Sequence, residues 1–271
     1  MVEKIFSILK LILPNFFIKF INRLFKRNIV IEGNYKNWSD ALKKSLGYES
    51  NVIFKKSKES FLKVISGKAQ YERDSVLFYK KKINNFLINI LVGIKNKKKP
   101  LKVLDFGGSF GSTYFQNYSI LSDKKRFHWS IIEQPKIVQF ANKQKLNENL
   151  NFFSDKKKYI DKYRPDVILF SSVIQYLQYP FNLINFFIKK KINYFIFMNT
   201  PFEKNKESIK IQIVPKNIYD ASYPIRIFNE NIFLELFKNN NYKIIPNSHP
   251  NEIISGIVFK NFIFKYSFSK K

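Results

Sequence analysis

A glycine-rich turn behind an acidic residue has the clearest chemical potential in this sequence. It follows the apolar run 101–104, and its residues are Asp105, Gly107, Gly108, Ser109 and Gly111. Glycines let a backbone approach a ligand closely, and the N-terminus of a following helix favours electron-rich groups. We therefore predict that this turn binds a nucleotide-like ligand. The alternative is a turn needed only for tight packing of a strand on a helix.

Polar residues also follow the next apolar runs at regular spacing. Glu133 ends the run 128–132, Asp155 follows 150–153, and Ser171 and Ser172 follow 166–170. Ligands of parallel sheets bind beyond the carboxyl ends of the strands, and an acid ending the second strand is placed to bind ribose hydroxyls. Each residue alone is compatible with an ordinary helix cap or a solvated position. Their succession favours a single pocket.

Apolar runs of strand length alternate with segments of helical periodicity, which predicts a doubly wound, mostly parallel sheet. The expected strands are 101–106, 128–132, 150–153, 166–171, 193–198, 242–246 and 256–265. The expected helices are 51–66, 71–95, 135–145, 181–190 and 230–238.

Composition narrows the chemistry further. The net charge of +28 is typical of proteins that bind nucleic acid or anionic membranes. The excess is mostly Lys and comes with abundant Ile, Asn, Phe and Tyr, so an AT-rich coding bias is a second explanation. Without cysteine and with two histidines, the chain has no thiol nucleophile, and we expect no metal site.

The order of the glycines separates two classes of enzyme. Nicotinamide enzymes carry Gly-x-Gly-x-x-Gly, whereas here Gly-Gly-x-x-Gly stands behind Asp105. An acid before the first glycine and a second acid, Glu133, ending the next strand resemble class I S-adenosylmethionine (SAM)-dependent methyltransferases.

The resemblance extends over most of the chain, to a family of methyltransferases whose genes occur among bacterial lipopolysaccharide and O-antigen assembly genes. The segments that carry it are 32–35, 71–75, 105–111, 133–135, 171–177, 200–202 and 221–224, with Trp38, Ala41 and Gly47. It implies a Rossmann-like α/β fold with a seven-stranded, mostly parallel sheet over residues 99–271. Residues 1–98 would form an N-terminal helical extension. Asn199 and Arg226 depart from the residues expected there, on the side where the substrate would bind.

The resemblance also implies roles for individual residues. The glycine turn would line the methionine and ribose part of SAM, and Glu133 would hold the ribose. Asp155 would lie near the adenine amine, with Ser171 and Ser172 on the methionine side. The acceptor would be a sugar, presented as a glycan, a nucleotide sugar or a lipid-linked sugar.

Two segments are expected to face the acceptor. Residues 203–228 are too long for a simple connector and are interpreted as a substrate-covering loop. The expected substrate-binding residues are Tyr35, Trp38, Tyr71, Arg73, Gln175 (at the mouth), Tyr223 and Arg226. Aromatic rings stack on sugar faces and Arg pairs with phosphate or carboxylate. The alternative is that the aromatic residues only attach the extension to the sheet.

No catalytic residue is assigned from the sequence. Methyl transfer depends largely on the positioning of acceptor and methyl group. A hydroxyl acceptor would also gain from a general base. His249, Tyr223 and Glu203 are the candidates.

The N-terminal segment 1–27 is basic and apolar but too often interrupted to span a membrane. Residues 15–27 have helical periodicity, so we expect either binding to an anionic membrane surface or packing within the protein. The resulting expectation is a cytoplasmic protein, peripheral on the inner face of the cytoplasmic membrane.

Two other functions remain open from the sequence. A nucleic-acid methyltransferase would use the positive charge, and residues 199–202 resemble the Asn/Asp-Pro-Pro-Tyr/Phe loop of amino-methylating enzymes, although that loop should follow the fourth strand. The other alternative is a module that binds the cofactor, or a partner, without turnover.

Overall fold

The structure is a computed structural model that describes residues 29–47, 51–95, 98–204, 206–215, 218 and 220–267. The basic segment 1–27, for which we expect membrane binding, lies outside the described residues.

The chain alternates strands and helices for most of its length. The strands are β1 (Val30–Tyr35), β2 (Tyr71–Arg73), β3 (Val76–Phe78), β4 (Leu101–Phe106), β5 (Phe127–Ile132), β6 (Leu150–Phe153), β7 (Val167–Ser171), β8 (Tyr194–Glu203), β9 (Ser208–Ile213), β10 (Ser222–Asn229), β11 (Tyr242–Ile244), β12 (Glu252–Ile254) and β13 (Ile257–Tyr266). The helices are α1 (Trp38–Lys43), α2 (Asn51–Ile65), α3 (Asn85–Ile94), α4 (Ser112–Gln116), α5 (Tyr118–Leu121), α6 (Pro135–Ala141), α7 (Lys156–Tyr163), α8 (Pro180–Lys189) and α9 (Glu230–Lys238). A short 3₁₀ turn covers Ile174–Tyr176.

The main sheet has the strand order β6-β5-β4-β7-β8-β13-β11. The strands from β6 to β8 are parallel, while β13 is antiparallel to both β8 and β11. These seven strands form a mostly parallel sheet, as expected, in which β13, the last strand in sequence, lies antiparallel beside β8. The Rossmann-like fold is thereby confirmed.

Two apolar layers cover the faces of this sheet. One contains buried residues of α2, α3 and α6, and the other contains those of α7, α8 and α9. The central strands are apolar on both faces, as β7 shows, because helices cover both sides. The sheet is therefore rigid where its strands end, which is where the polar residues of the site begin.

The predicted strands of the main sheet are confirmed, with 101–106 and 150–153 matching their bounds. The helix 230–238 also matches its bounds. The single helix expected over 71–95 is wrong. Residues 71–78 form the hairpin β2–β3, and the helix α3 begins at Asn85, where the Asn84 side chain caps it. Tyr71, Val76 and Phe78 suit a strand at least as well as a helix.

The extension before the main sheet is accordingly not all helical. Its first described element, β1, is an edge strand that pairs antiparallel with β9, and β9 pairs antiparallel with β10. We call these three strands the added sheet. It joins the main sheet where Phe228 and Asn229 pair with the end of β8.

The substrate-covering loop expected over 203–228 is therefore wrong as a description of this segment. Most of it belongs to strands β9 and β10 of the added sheet. The apolar residues Ile211, Ile225 and Ile227 are buried there, which fixes the register of the pairing. Within the described ranges, no helix is long and apolar enough to cross a membrane.

Candidate functional site

The glycine turn after β4 has the shape of a cradle. Gly107 has φ 71°, and a Cβ atom there would overlap Val173 Cγ2. A Cβ at Gly108 would lie 2.6 Å from Asp105 Oδ2. Both positions therefore require glycine, and the turn presents bare backbone toward the ligand side. Helix α4 behind it has only five residues, so its dipole contributes less than the sequence suggests.

Asp105 lies at the centre of the cradle and is fully buried. Neither of its carboxylate oxygens has a hydrogen-bond partner within normal geometry. Burial raises the pKa of Asp105 to about 7, against the opposing effects of the Trp129 indole and of Arg73. A buried carboxylate without partners is costly, so this position is suited to a cationic ligand group.

Glu133 connects the end of β5 to the cradle. Its Oε1 accepts a hydrogen bond from the backbone N–H of Ser109 at 3.2 Å, and its Oε2 accepts one from Gln134 N–H at 2.7 Å. Burial raises the pKa of Glu133, and these two bonds oppose that rise. The carboxylate is thus held in place beside the turn, at the position from which an acid binds ribose hydroxyls.

The other predicted cofactor residues lie around the same opening. Asp155 caps α7 by accepting hydrogen bonds from Lys157 and Lys158 N–H, and these bonds, led by that of Lys158, lower its pKa. Ser171 ends β7, and Ser172 has a left-handed φ of 53°. Asp155 therefore serves as a helix cap. It also lines the larger of two cavities at this edge of the sheet, which we call the cleft.

Two adjoining cavities follow the carboxyl ends of the strands. The larger, about 840 Å³, contains Glu133, Asp155 and the aromatic side chain of Trp38 in its wall. The smaller, about 90 Å³, is lined by Asp105, by Gly107, Gly108 and Ser109 of the glycine turn, and by residues of the hairpin β2–β3; Gly111 is not part of its lining. Gly107 and Ser172 line both. A long ligand crossing this pair of residues would contact an acid at each end.

An aromatic wall closes the far side of the larger cavity. Trp38, Tyr176 and Tyr223 line it together with Leu42 and Pro224. The Tyr176 hydroxyl donates to Gln212 Oε1 at 2.9 Å.

Gln212 then connects the two tyrosines. Its Nε2 donates to the Tyr223 hydroxyl oxygen at 3.1 Å. The residue is buried, so the amide fixes both rings of the wall. Of the residues expected to bind the substrate, Trp38 and Tyr223 therefore lie on the cleft.

Other expected substrate residues lie elsewhere. Tyr71 is buried, stacks on Phe78 at 4.6 Å, and lines a separate cavity on the other side of the hairpin. Tyr35 ends the edge strand β1 and is not among the residues that line the cleft. Gln175 is fully buried rather than at the mouth, and it donates to Asn199 O at 3.2 Å.

Arg226 and Arg73 also differ from the expectation. Arg226 pairs with Glu207, donates to Gln178 O at 3.0 Å, and lies over the Trp38 ring at 5.7 Å. Arg226 thus supports the aromatic wall through its contact with the Trp38 ring. Its charge is neutralised by Glu207. Arg73 lines the smaller cavity, as Asp105 does, and not the larger cavity that contains the aromatic wall.

The candidate bases are separated by the fold. His249 stacks on Phe86 at 4.4 Å and lines neither cavity. Glu203 ends β8, where it pairs with Asn229, and it lines neither cavity. Among the three candidates, Tyr223 is the residue that lies on the cleft.

The segment 199–202 is part of strand β8, not a loop after the fourth strand of the sheet. Thr200 and Phe202 are buried, and Asn199 has a left-handed φ of 51° where β8 bends between its two sets of partners. The Asn199 N–H donates to Asn261 Oδ1 at 2.9 Å. The resemblance to amino-methylating enzymes therefore has no counterpart in the geometry.

No protein-family model and no curated protein matches the sequence. The 1,6-didemethyltoxoflavin-N1-methyltransferase of Burkholderia thailandensis, with S-adenosylhomocysteine bound, is 13% identical over 68% of this chain and 76% of that one, with a TM-score of 0.44. The magnesium protoporphyrin IX methyltransferase of Synechocystis PCC 6803, with SAM bound, is 13% identical over 81% and 86%, with a TM-score of 0.43.

The N-terminal domain of EvdMO1, with S-adenosylhomocysteine and D-fucose, is 10% identical over 78% and 97%, with a TM-score of 0.46. TM-scores below 0.5 at such identities support no functional argument. The assignment of the fold therefore depends on the strand order, and the assignment of the site depends on its own geometry.

Sequence reasoning missed several residues of the two cavities. Glu72 and Asp74 line the smaller one, and Tyr176 lines the larger. Glu72 and Asp74 belong to the segment 71–75 that carries the family resemblance, and this is the signal that could have found them. Tyr176 gave no separate signal because its segment has no helical or strand periodicity.

Proposed function

We propose that this protein is a SAM-dependent methyltransferase. The observation that carries the proposal is Asp105, a fully buried carboxylate without hydrogen-bond partners, set in a cradle that only glycine permits. Glu133, held by two N–H groups at the end of the next strand, supports the same conclusion.

The residues present fit this cofactor at both ends. Asp105 offers an anion to the ammonium group of the methionine moiety, and Glu133 offers its carboxylate to the ribose hydroxyls. When bound, SAM would supply an electrophilic methyl group on its sulfonium, which an acceptor lone pair can displace. What the chain supplies is position, through the backbone at Gly107 and Ser172, which lie between the two acids.

The proposed acceptor is a hydroxyl group of a sugar, in a glycan or a glycan precursor of bacterial surface polysaccharide. The family resemblance of the sequence supports this, and so does the aromatic wall of Trp38, Tyr176 and Tyr223 beside the cleft. Arg226 is already paired with Glu207, so the wall itself brings no unneutralised guanidinium to the acceptor. The wall therefore suits an uncharged sugar ring, while Lys156 and Lys157 line the same cavity and could face a phosphate of the precursor.

Calorimetric titration with SAM tests the cofactor assignment. We expect saturable binding by the unmodified chain and a loss of roughly 10–100-fold in affinity for Glu133→Ala, because charged hydrogen bonds are removed. Glu148→Ala, an exposed glutamate paired with Lys124, is the matched control and should bind normally. Absence of binding by the unmodified chain would refute the methyltransferase proposal.

The acceptor class is tested by transfer of a labelled methyl group from SAM to nucleotide sugars and to lipid-linked sugars, with RNA and DNA as the competing classes. Label in a sugar fraction supports the proposal. Label confined to nucleic acid would replace it with the alternative function.

A membrane-bound acceptor would also explain the basic segment 15–27, whose periodicity is that of a surface-binding helix. We propose that this segment binds anionic membranes. The chain should co-sediment with anionic vesicles and lose that property when the segment is deleted; unchanged sedimentation would contradict it.

A further inference from the structure

The hairpin β2–β3 forms one wall of the smaller cavity. Glu72, Arg73 and Asp74 line it, facing Asp105 and the glycine turn. The hairpin lies outside the main sheet and has its own two-stranded pairing. Its position at the cavity therefore depends on the contacts that hold the hairpin in place. The strands of the Rossmann-like sheet do not by themselves provide this wall.

The turn of this hairpin has both of its central residues in the left-handed region. Asp74 has φ 51° and Ser75 has φ 67°, as a two-residue hairpin turn requires; Asp suits the first position, whereas the second normally carries Gly. Every polar group of Ser75 is bound: its N–H donates to Glu72 Oε2 at 2.9 Å, its carbonyl accepts from Ser60 Oγ at 2.8 Å, and its hydroxyl lies 3.1 Å from Ser57 Oγ. The left-handed conformation of Ser75 is thus fixed by its surroundings.

The same contacts tie the hairpin to the glycine turn. Helix α2, which supplies Ser57 and Ser60, is anchored by Phe61, whose ring stacks on Phe110 of the glycine turn with centroids 4.8 Å apart. Glu72 also accepts a hydrogen bond from the Ser112 hydroxyl at the start of α4. The two walls of the cavity are thereby fixed relative to each other.

The charges in the cavity are of both signs. Arg73 donates to the neutral Gln116 side chain at 3.3 Å and, among the residues that the structure describes, makes no ion pair. Asp105 lines the same cavity with both carboxylate oxygens unpartnered, and Arg73 is near enough to oppose the rise of its pKa.

Among the described residues that line this cavity, Arg73 is the one cationic side chain, and it shares the cavity with the carboxyl groups of Glu72, Asp74 and Asp105. Glu72 accepts hydrogen bonds from Ser75 N–H and the Ser112 hydroxyl, whereas Asp105 has no hydrogen-bond partner. The guanidinium of Arg73 and the carboxylate of Asp105 therefore complement an α-amino acid zwitterion, which carries a carboxylate and an ammonium group.

We propose that the β2–β3 hairpin completes the cofactor site, with Arg73 binding the α-carboxylate of the methionine moiety across the cavity from Asp105. The inference rests on the proposed use of SAM and adds a residue that the Rossmann-like sheet does not provide. Ser75 acts as a positioning residue, since it sets the turn from which Arg73 and Asp74 reach the cavity.

Calorimetry with four ligands, SAM and three of its analogues, tests this role. S-adenosylhomocysteine carries the carboxylate, whereas 5′-methylthioadenosine lacks the whole amino acid. We expect Arg73→Ala to lower the affinity for S-adenosylhomocysteine by roughly 10–100-fold. The affinity for 5′-methylthioadenosine should stay within about twofold of its value in the unmodified chain. Arg73→Lys should give an intermediate loss, because it keeps the charge without the bidentate fork. Arg126→Ala, on an arginine at the opposite end of the strands, is the matched control and should change neither affinity.

A comparison of SAM with decarboxylated SAM makes the test independent of variant folding. The unmodified chain should bind decarboxylated SAM roughly tenfold or more weakly than SAM, because the partner of Arg73 is missing. Equal affinities for these two ligands, or equal losses for both adenosine ligands in Arg73→Ala, would overturn the role of Arg73. Failure of the unmodified chain to bind any of the ligands would instead refute the use of SAM itself.

Discussion

The two sides of the cleft are built in different ways. The cofactor side, residues 101–172, consists of parallel strands whose carboxyl ends carry the glycine turn, Glu133 and Ser171. The acceptor side consists of the added sheet and α1, which bring Trp38 and Tyr223 to the opposite wall. In the first, β4, β5 and β6 pair in chain order, and β7 joins them beside β4. On the acceptor side, β1 pairs with β9, which lies far from it in the sequence. The strands of the added sheet therefore depend on distant segments of the chain.

This difference predicts that damage on the two sides has separate consequences. A change in the glycine turn should remove cofactor binding. A change in the added sheet should leave the affinity for the cofactor unchanged and weaken the binding of the acceptor. Four substitutions, from the largest expected effect to the smallest, test whether the separation holds.

Gly107→Ala should have the largest effect. The new Cβ overlaps Val173 and occupies a left-handed backbone position, so we expect roughly a 100-fold loss of SAM affinity from displacement of the turn. Adding Val173→Ala should restore part of it by removing the overlap. Titration of the single and double variants with SAM measures this. A single variant that binds SAM normally would contradict the claim that this position requires glycine.

Asp105→Asn should alter the pH dependence of stability. The pKa of Asp105 is raised from 3.8 to about 7, so its stabilising contribution is complete below pH 3.8 and is lost as pH rises through 7. The unmodified chain should lose roughly 2–3 kcal/mol of unfolding free energy from this group between about pH 5 and pH 8.5. Denaturant titrations of Asp105→Asn should show a flatter profile, whereas Asp161→Asn, at an exposed site, should keep the original slope.

Arg226→Ala should affect the acceptor side alone. The change leaves Glu207 unpaired and removes the support behind Trp38, so we expect a rise of roughly tenfold in the KM for the acceptor. SAM affinity should stay within about twofold. Arg226→Lys retains a charge for Glu207 and should be milder. Loss of SAM binding in Arg226→Ala would show that the two sides are not separable.

Asn37→Ala should have the smallest effect. The Asn37 side chain caps α1 by accepting from Asp40 N–H at 2.9 Å, and loss of such a cap costs about 0.5–2 kcal/mol. Thermal unfolding should detect this, and Asn37→Asp should retain the cap. SAM affinity should not change, since α1 carries only the acceptor wall.

The cofactor side was predictable because its signals are local. An apolar run, a terminal polar residue and a glycine turn lie within a few positions of each other, as at Val103 to Gly111. Parallel strands covered on both faces also read as uninterrupted apolar runs. The ends of β4 and β6 could therefore be placed to the residue, as could the polar positions that follow β4, β5 and β7.

The acceptor side was not predictable in the same way. Strand β1 contains Glu32, Gly33 and Asn34, and nothing near it in sequence indicates its pairing with β9. On the cofactor side, the hairpin turn at Asp74 and Ser75 gave no signal either, because its conformation is imposed by serines of α2. The burial of Gln175 and the pairing of Arg226 with Glu207 likewise depend on contacts between distant segments.

A crystal structure of the full chain with S-adenosylhomocysteine tests the central claim most directly. The account predicts the ribose at Glu133 in the larger cavity, the backbone of Gly107 and Ser172 alongside the thioether, and the amino acid end at Asp105 and Arg73 in the smaller cavity. A ligand bound in the reverse direction, or outside the two cavities, would contradict it.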